Sequence, residues 1–193
     1  MAKITKRCRW AGETSLEYIR YHDEEWGVPV RDDVALFNKL MLDMFQSGLS
    51  WLVVLRKRAK MVKLLQLDDP DKLAKWTTGR VDRVLLNPSI IRNRMKVQAA
   101  VHNAKLFVQL RDSGRPFGEL LWSHVGGTTT VNHWKSDSDI PALTPEGDAM
   151  SRELKAMGFK WTGPTVCYAF MQAVGMVNDH LISCPRHAAC AIN

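Results

Sequence analysis

Helical periodicity runs through almost the whole chain, and no stretch alternates apolar with polar residues long enough to demand a sheet. Helix caps and stops also recur at short intervals, and one long irregular stretch, GGTTTVNHWKSDSDIPALTP, stands apart from them. Together these observations predict an all-α protein. Taken in order, Thr14 or Ser15 suits the N-cap of a helix from Leu16 to a stop at Gly27, with Tyr18, Tyr21, His22 and Glu25 at the spacing of one face. Asp33 is the predicted cap of a second helix reaching Gly48. A third begins near Ser50 and runs through WLVVLRKRAKMVKLL. Pro70 opens a short helix, Arg80 to Leu86 reads as another, and the turn Asn87-Pro88-Ser89 separates it from a long helical stretch beginning at Ile90. Phe117 to His124 is a short apolar helix. Beyond the irregular stretch, Pro145 opens a helix through Met157, and Gly163-Pro164 precedes a last one running through TVCYAFMQAVGMVNDHLISC.

A length of 193 residues fits one domain over 1–193, and 46% hydrophobic with 24% charged residues is the balance of a soluble globular chain. The apolar run Trp51 to Leu55 is stopped by Arg56, Lys57 and Arg58, so no membrane span is expected. The start MAKITKRCRW lacks the apolar segment of a secretory signal. A cytoplasmic location is the expectation. Four scattered cysteines do not make a secreted disulfide framework, and a formal charge of +7 favours a polyanionic partner.

Four residues at opposite ends, Cys8 with His22 and His180 with Cys184, form a candidate tetrahedral zinc set, the second pair spaced as one turn of helix. The other reading is buried thiols with a core and a surface histidine. Aromatic residues gather early in the chain: Trp10, Tyr18, Tyr21, Trp26, Phe45 and Trp51. Such a group suits either an ordinary core or a pocket for a flat, electron-poor ring. Asp43 interrupts the apolar run LMLDMF, so its carboxylate is either on the solvent side of the helix or buried for a reason. The Asn87-Pro88-Ser89 turn with Arg92, Arg94 and Lys96 has the outline of a helix-hairpin-helix, a motif that offers backbone N–H groups and basic side chains to a phosphate. Arg56 to Lys60 is a second basic cluster, read either as an extension of that surface or as a solvated face.

The strings RCRW, YIRYHDEEWGVP, FQSGLSWLVVLRKR, IIRNRMKVQA and GFKWTGPTVCYAFMQAVGMVNDH, closed by Cys184, resemble in order the bacterial type I DNA-3-methyladenine glycosylases. The resemblance covers nearly the whole chain. It implies an all-α helix-hairpin-helix glycosylase fold, excision of 3-methyladenine from alkylated double-stranded DNA, and one structural zinc ion on Cys8, His22, His180 and Cys184 joining the two ends. It further implies a base pocket of Trp10, Tyr18, Tyr21, Trp26 and Trp51, with Asp43 as the catalytic acidic residue. Backbone contacts fall on Ser89, Arg92, Arg94 and Lys96, and a monomer is expected.

This chain departs from the family's pattern at several positions. Asp43 stands for the usual glutamate and is shorter by one carbon–carbon bond, about 1.5 Å. Met44 and Phe45 are larger than the family's residues and are expected to narrow the pocket. Ser89 and Met95 stand where glycine is common. The linkage of 3-methyladenine to the sugar is already cationic, so a monofunctional hydrolysis without a strong general acid is implied, and no lysine stands in an obvious Schiff-base position. Two competing readings are a family member that binds damaged bases without excising them, and a helical zinc module that does not bind nucleic acid.

Overall fold

The structure is a computed structural model describing residues 6–191, so the first residues of the basic chain start lie outside the described part. It is mostly helical. Helix α1 (Leu16–Glu24) is capped by Ser15, whose hydroxyl accepts from Tyr18 N, and Gly27 follows at φ 79°. Helix α2 (Asp33–Gln46) is capped by Asp32 rather than Asp33. The Asp33 carboxylate instead accepts from the backbone N–H groups of Phe117 and Gly118 at 2.9 and 2.8 Å. It thereby caps a distant helix, α7 (Phe117–Trp122), which one-dimensional spacing could not reveal.

Leu36, Phe37, Leu40, Met41, Met44 and Phe45 are all fully buried on α2, which packs against α3 (Trp51–Leu65), α6 (Arg94–Asp112), α7 and α9 (Pro164–Ala173). Each such side chain contributes about 1.5–3 kcal/mol of burial free energy, so α2 is the spine of the core. Short helices α4 (Pro70–Ala74) and α5 (Thr78–Leu85) lie on α6, and α8 (Pro145–Ala156) lies on α9.

Two expectations at the C-terminal end are corrected. The last predicted helix does not run to Cys184 but ends at Ala173, because Gly175 turns at φ 71° and passes so close to Val28 and Pro29 that a Cβ would lie 2.5 Å from Pro29 N. After it, Val177–Asn178 (β2) pairs in parallel with Thr130–Val131 (β1), tying the long irregular stretch to the chain end. His180 and Cys184 are therefore not one helical turn apart. Cys184 is instead the N-cap of a short helix, α10 (Pro185–Cys190), that the sequence reading did not identify. The long helix of the hairpin begins at Arg94 rather than Ile90, since the Asn93 side chain accepts from Lys96 N and starts it there.

Candidate active site

The two aromatic residues of α1 that share its inner face, Tyr18 and Tyr21, border a cavity of about 420 Å³. Trp10 enters it from a single 3-10 turn before α1, Trp26 from just after α1, and Trp51 from the first turn of α3. Asp43, Lys39 and Gln46 come from α2, Gln172 from α9, and Asp137 from the long loop. Every residue that the sequence reading assigned to the base pocket lines this one space. Edge contacts order the wall: the Trp10 ring centroid lies 5.9 Å from that of Tyr18 and 5.0 Å from that of Trp26, and Tyr21 lies 5.3 Å from Trp51.

Asp43 is 4% exposed, which settles its position in favour of burial. One carboxylate oxygen accepts from the Lys39 ammonium one turn earlier, while Oδ2 has no hydrogen-bond partner among the described residues. Burial pushes the Asp43 carboxyl up from its ordinary range, with Lys39 opposing, and burial pushes the Lys39 ammonium down. The ammonium also lies 4.3 Å from the ring centroid of Trp51. The indole N–H groups of Trp10 and Trp51 are buried and equally unpartnered. Asp137 Oδ1, on the same cavity, is likewise buried without a partner among the described residues. A buried donor or acceptor left unmet costs about 1–3 kcal/mol, so two spare donors and two spare acceptors around one aromatic cavity suit a flat ligand with polar edges. Lys39 was missed by the sequence reading, although its i,i+4 spacing to Asp43 was legible. Met44 and Phe45 do not narrow the cavity; both point into the core and are fully buried.

Behind the Trp10–Trp26 wall, Cys8, His22 and Cys184 bring their ligand atoms within 4.8 Å of one another, all buried. The His180 ring stands beside them, 5.1 Å from the His22 ring centroid, though outside that tight group. His22 Nε2 is 3.7 Å from Cys184 Sγ, close to the edge of about 3.6 Å expected of a tetrahedron built on ordinary zinc–nitrogen and zinc–sulfur bonds.

Both histidines are set as ligands are. Asp23 holds His22 Nδ1 at 2.8 Å and Asn178 holds His180 Nδ1 at 3.0 Å, which leaves each Nε2 for a metal, and His180 Nε2 is buried without a partner among the described residues. Burial pushes His180 down to about 3, so its imidazole is neutral. A hydrogen bond from the Cys8 thiol pulls Cys184 down to about 4, while Cys8 itself is pushed up by the same contact. Two sulfurs sharing one proton beside two imidazoles whose Nδ1 atoms are already engaged are a donor set that fits a dication. Gly27 is required next to them, since a Cβ there would lie 2.7 Å from the His180 ring.

The hairpin residues divide. Arg92 is exposed, Arg94 is half-exposed and paired with Asp82, and Ser89 N donates to Asn87 Oδ1 at 2.9 Å within the turn. Lys96 is not a backbone-contact candidate, because it is 3% exposed and its ammonium donates to the carbonyls of Phe45 and Ser47 at the end of α2. Its charge is spent on orphan carbonyls of a helix terminus. In the second basic cluster Arg56 and Arg58 pair with Glu17 and Glu25, while Lys57 donates to Pro88 O at 2.6 Å and fastens α3 to the hairpin.

Asp179, also missed, is fully buried and accepts from Asn132, Trp134, Tyr168 and Gln172 at 2.5–2.8 Å. It anchors the long loop against α9 beside the cavity. No local pattern marks it, because two of its donors, Asn132 and Trp134, are distant in sequence and the other two, Tyr168 and Gln172, are on α9.

A mostly helical protein with an aromatic cavity and a buried half-satisfied carboxylate defines a class able to hold a flat ring by its faces and polar edge. Residues 10–187 match the family model for methyladenine glycosylase, and the chain belongs to that family. It is 42% identical over 179 residues to DNA-3-methyladenine glycosylase 1 of Escherichia coli, covering 93% of this chain and 95% of that one. Among solved structures, a crystal structure of 3-methyladenine DNA glycosylase I is similar with a TM-score of 0.91 at 41% identity, covering 93% of this chain and 98% of that chain. The Staphylococcus aureus 3-methyladenine DNA glycosylase I, whose structure concerns 3-methyladenine recognition, is similar with a TM-score of 0.89 at 32% identity, covering 95% and 97%.

Proposed function

We propose that this chain is a monofunctional DNA glycosylase of base excision repair, hydrolysing the N-glycosidic bond of 3-methyladenine in alkylated double-stranded DNA to leave an abasic site. One observation carries the reading: the cavity of about 420 Å³ has aromatic walls and a buried Asp43 with an unmet oxygen. The relatives' substrate supplies the identity of the base. A damaged base must leave the stack before the cavity can enclose it, and extrusion costs least for a lesion. Tyr18, Tyr21 and Trp51 enclose the ring, and Asp43 Oδ2 accepts from the exocyclic amine on its edge. Because the glycosidic linkage of 3-methyladenine is cationic, the base departs without a strong acid, and water attacks the oxocarbenium-like sugar beside the phosphates.

The hairpin from α5 to α6, with Ser89, Arg92 and Arg94, is the phosphate-facing element of a helix-hairpin-helix in this proposal. Cys8, His22, His180 and Cys184 would hold one zinc ion, whose chemistry is structural because four protein ligands leave no position for water. The chain acts as a monomer in the cytoplasm, and among the described residues no helix is long and apolar enough to cross a membrane.

Release of free 3-methyladenine from methylated duplex DNA tests the proposal. Release well above a DNA-only control is expected; binding of the methylated duplex with no release at saturating protein would instead establish the non-excising reading.

A further inference from the structure

Lys39 gives the cavity a property that excision of a cationic base does not require. Its ammonium closes an ion pair with Asp43 one turn along α2 and lies 4.3 Å from the Trp51 ring centroid and 6.0 Å from that of Tyr21. An electron-rich aromatic cavity with an acid at its floor is the natural place for a cation, and here that place is taken by the protein's own side chain. A cationic base brought to Asp43 meets an ammonium 15% exposed at the side chain, and the floor pair is neutral as a unit. Asp137, from the long loop, is a further carboxylate on the cavity; the residue is partly buried, its Oδ1 is buried without a hydrogen-bond partner, and it makes no ion pair with Lys39 among the described residues. Glu25 and Arg58, the other charged groups nearby, are paired with each other.

What the floor offers instead is a hydrogen-bond pattern. An ammonium has three N–H groups; the Asp43 bond and the Trp51 face engage two. That leaves one N–H of an ammonium lining the same cavity as the unmet acceptor Asp43 Oδ2, with the Trp10 and Trp51 indole N–H groups as further donors. A donor beside an acceptor reads a base edge that has an acceptor beside a donor. A ring carbonyl next to a ring N–H, as on a neutral oxopurine, supplies that edge.

We infer that Lys39 is a catalytic and specificity-determining residue that extends this pocket to neutral oxopurines by donating a proton to the departing base. The inference rests on the glycosylase reading above. A neutral base is a poor leaving group, so its N-glycosidic bond breaks with the electron pair going to the base as the Lys39 ammonium delivers a proton to the base acceptor it faces. Water then adds to C1′ of the oxocarbenium sugar, and its proton returns to the Lys39 amine. The products are the free base and an abasic sugar, with no other reactant consumed.

The test compares two duplexes, one methylated and one with a single deoxyinosine, with wild-type protein and Lys39→Met. The wild type is expected to release both 3-methyladenine and hypoxanthine. In Lys39→Met, hypoxanthine release should fall by about 100-fold, the ordinary contribution of a positioned acid, while 3-methyladenine release should rise as the competing cation is removed. Wild-type release of 3-methyladenine without hypoxanthine overturns the inference and leaves the proposed function standing, and that comparison needs no variant to fold. An equal fractional change for both bases in Lys39→Met, measured below its melting temperature on protein shown to be folded, also overturns it. Release of neither base contradicts both readings.

Discussion

Lys39 and Asp43 lie one turn apart on α2 and close an ion pair against the face of Trp51, inside a cavity walled largely by aromatic rings. The helix spacing makes the pair, and the burial of α2 puts it in the pocket.

Burying two charges is costly, and leaving either one alone is costlier. Lys39→Met alone should destabilise the protein by about 3–5 kcal/mol, because Asp43 is then a buried carboxylate without a cation. The double variant with Asp43→Asn should recover most of that loss. Urea unfolding of the four members of the cycle measures it, and simple additivity of the two single changes would contradict the pairing.

Removal of the proposed zinc by a chelator at neutral pH should lower the melting temperature and change tryptophan fluorescence, since Trp10 and Trp26 pack on His22 and His180. Metal analysis is expected to find one zinc per chain. His180→Ala should weaken retention of the metal, and an unchanged zinc content in Cys184→Ala would count against the assignment.

Arg92 and Lys96 should separate in DNA binding. Arg92→Ala should reduce the salt-dependence slope of DNA affinity by about one unit, as loss of one phosphate contact does. Lys96→Ala should leave that slope unchanged and lower stability, because its ammonium serves the carbonyls of Phe45 and Ser47. A slope change in Lys96→Ala alone would reverse the roles given to them.

Gly175 and Gly79 should respond to alanine with opposite signs. Gly175→Ala places a Cβ 2.5 Å from Pro29 N at φ 71° and should prevent normal folding. Gly79→Ala, inside α5 with nothing within 4 Å, should stabilise by about 0.5–1 kcal/mol. Thermal melts of the two variants read both outcomes.

Helix existence was legible because caps and apolar spacing are local: Ser15 and the Pro residues opening α4, α8 and α9 stand where their chemistry demands. Cap assignment failed at Asp33 because its partner is α7, eighty-four residues away. The end of α9 was illegible for a similar reason, since Gly175 is dictated by the Val28–Pro29 backbone crossing it.

In the site, the aromatic wall and Asp43 were found from residue type together with the family resemblance, and one space gathers them all. The basic residues were harder to place, because charge in a sequence does not say whether an ammonium meets water, a helix end or a carboxylate. Lys96 and Lys39 took the second and third of these.

The most direct measurement is a crystal soaked with 3-methyladenine. The ring should lie in the cavity between Tyr18, Tyr21 and Trp51, with its amine within hydrogen-bond reach of Asp43 Oδ2. A base bound outside this cavity, or inside it without contact to Asp43, would contradict the account.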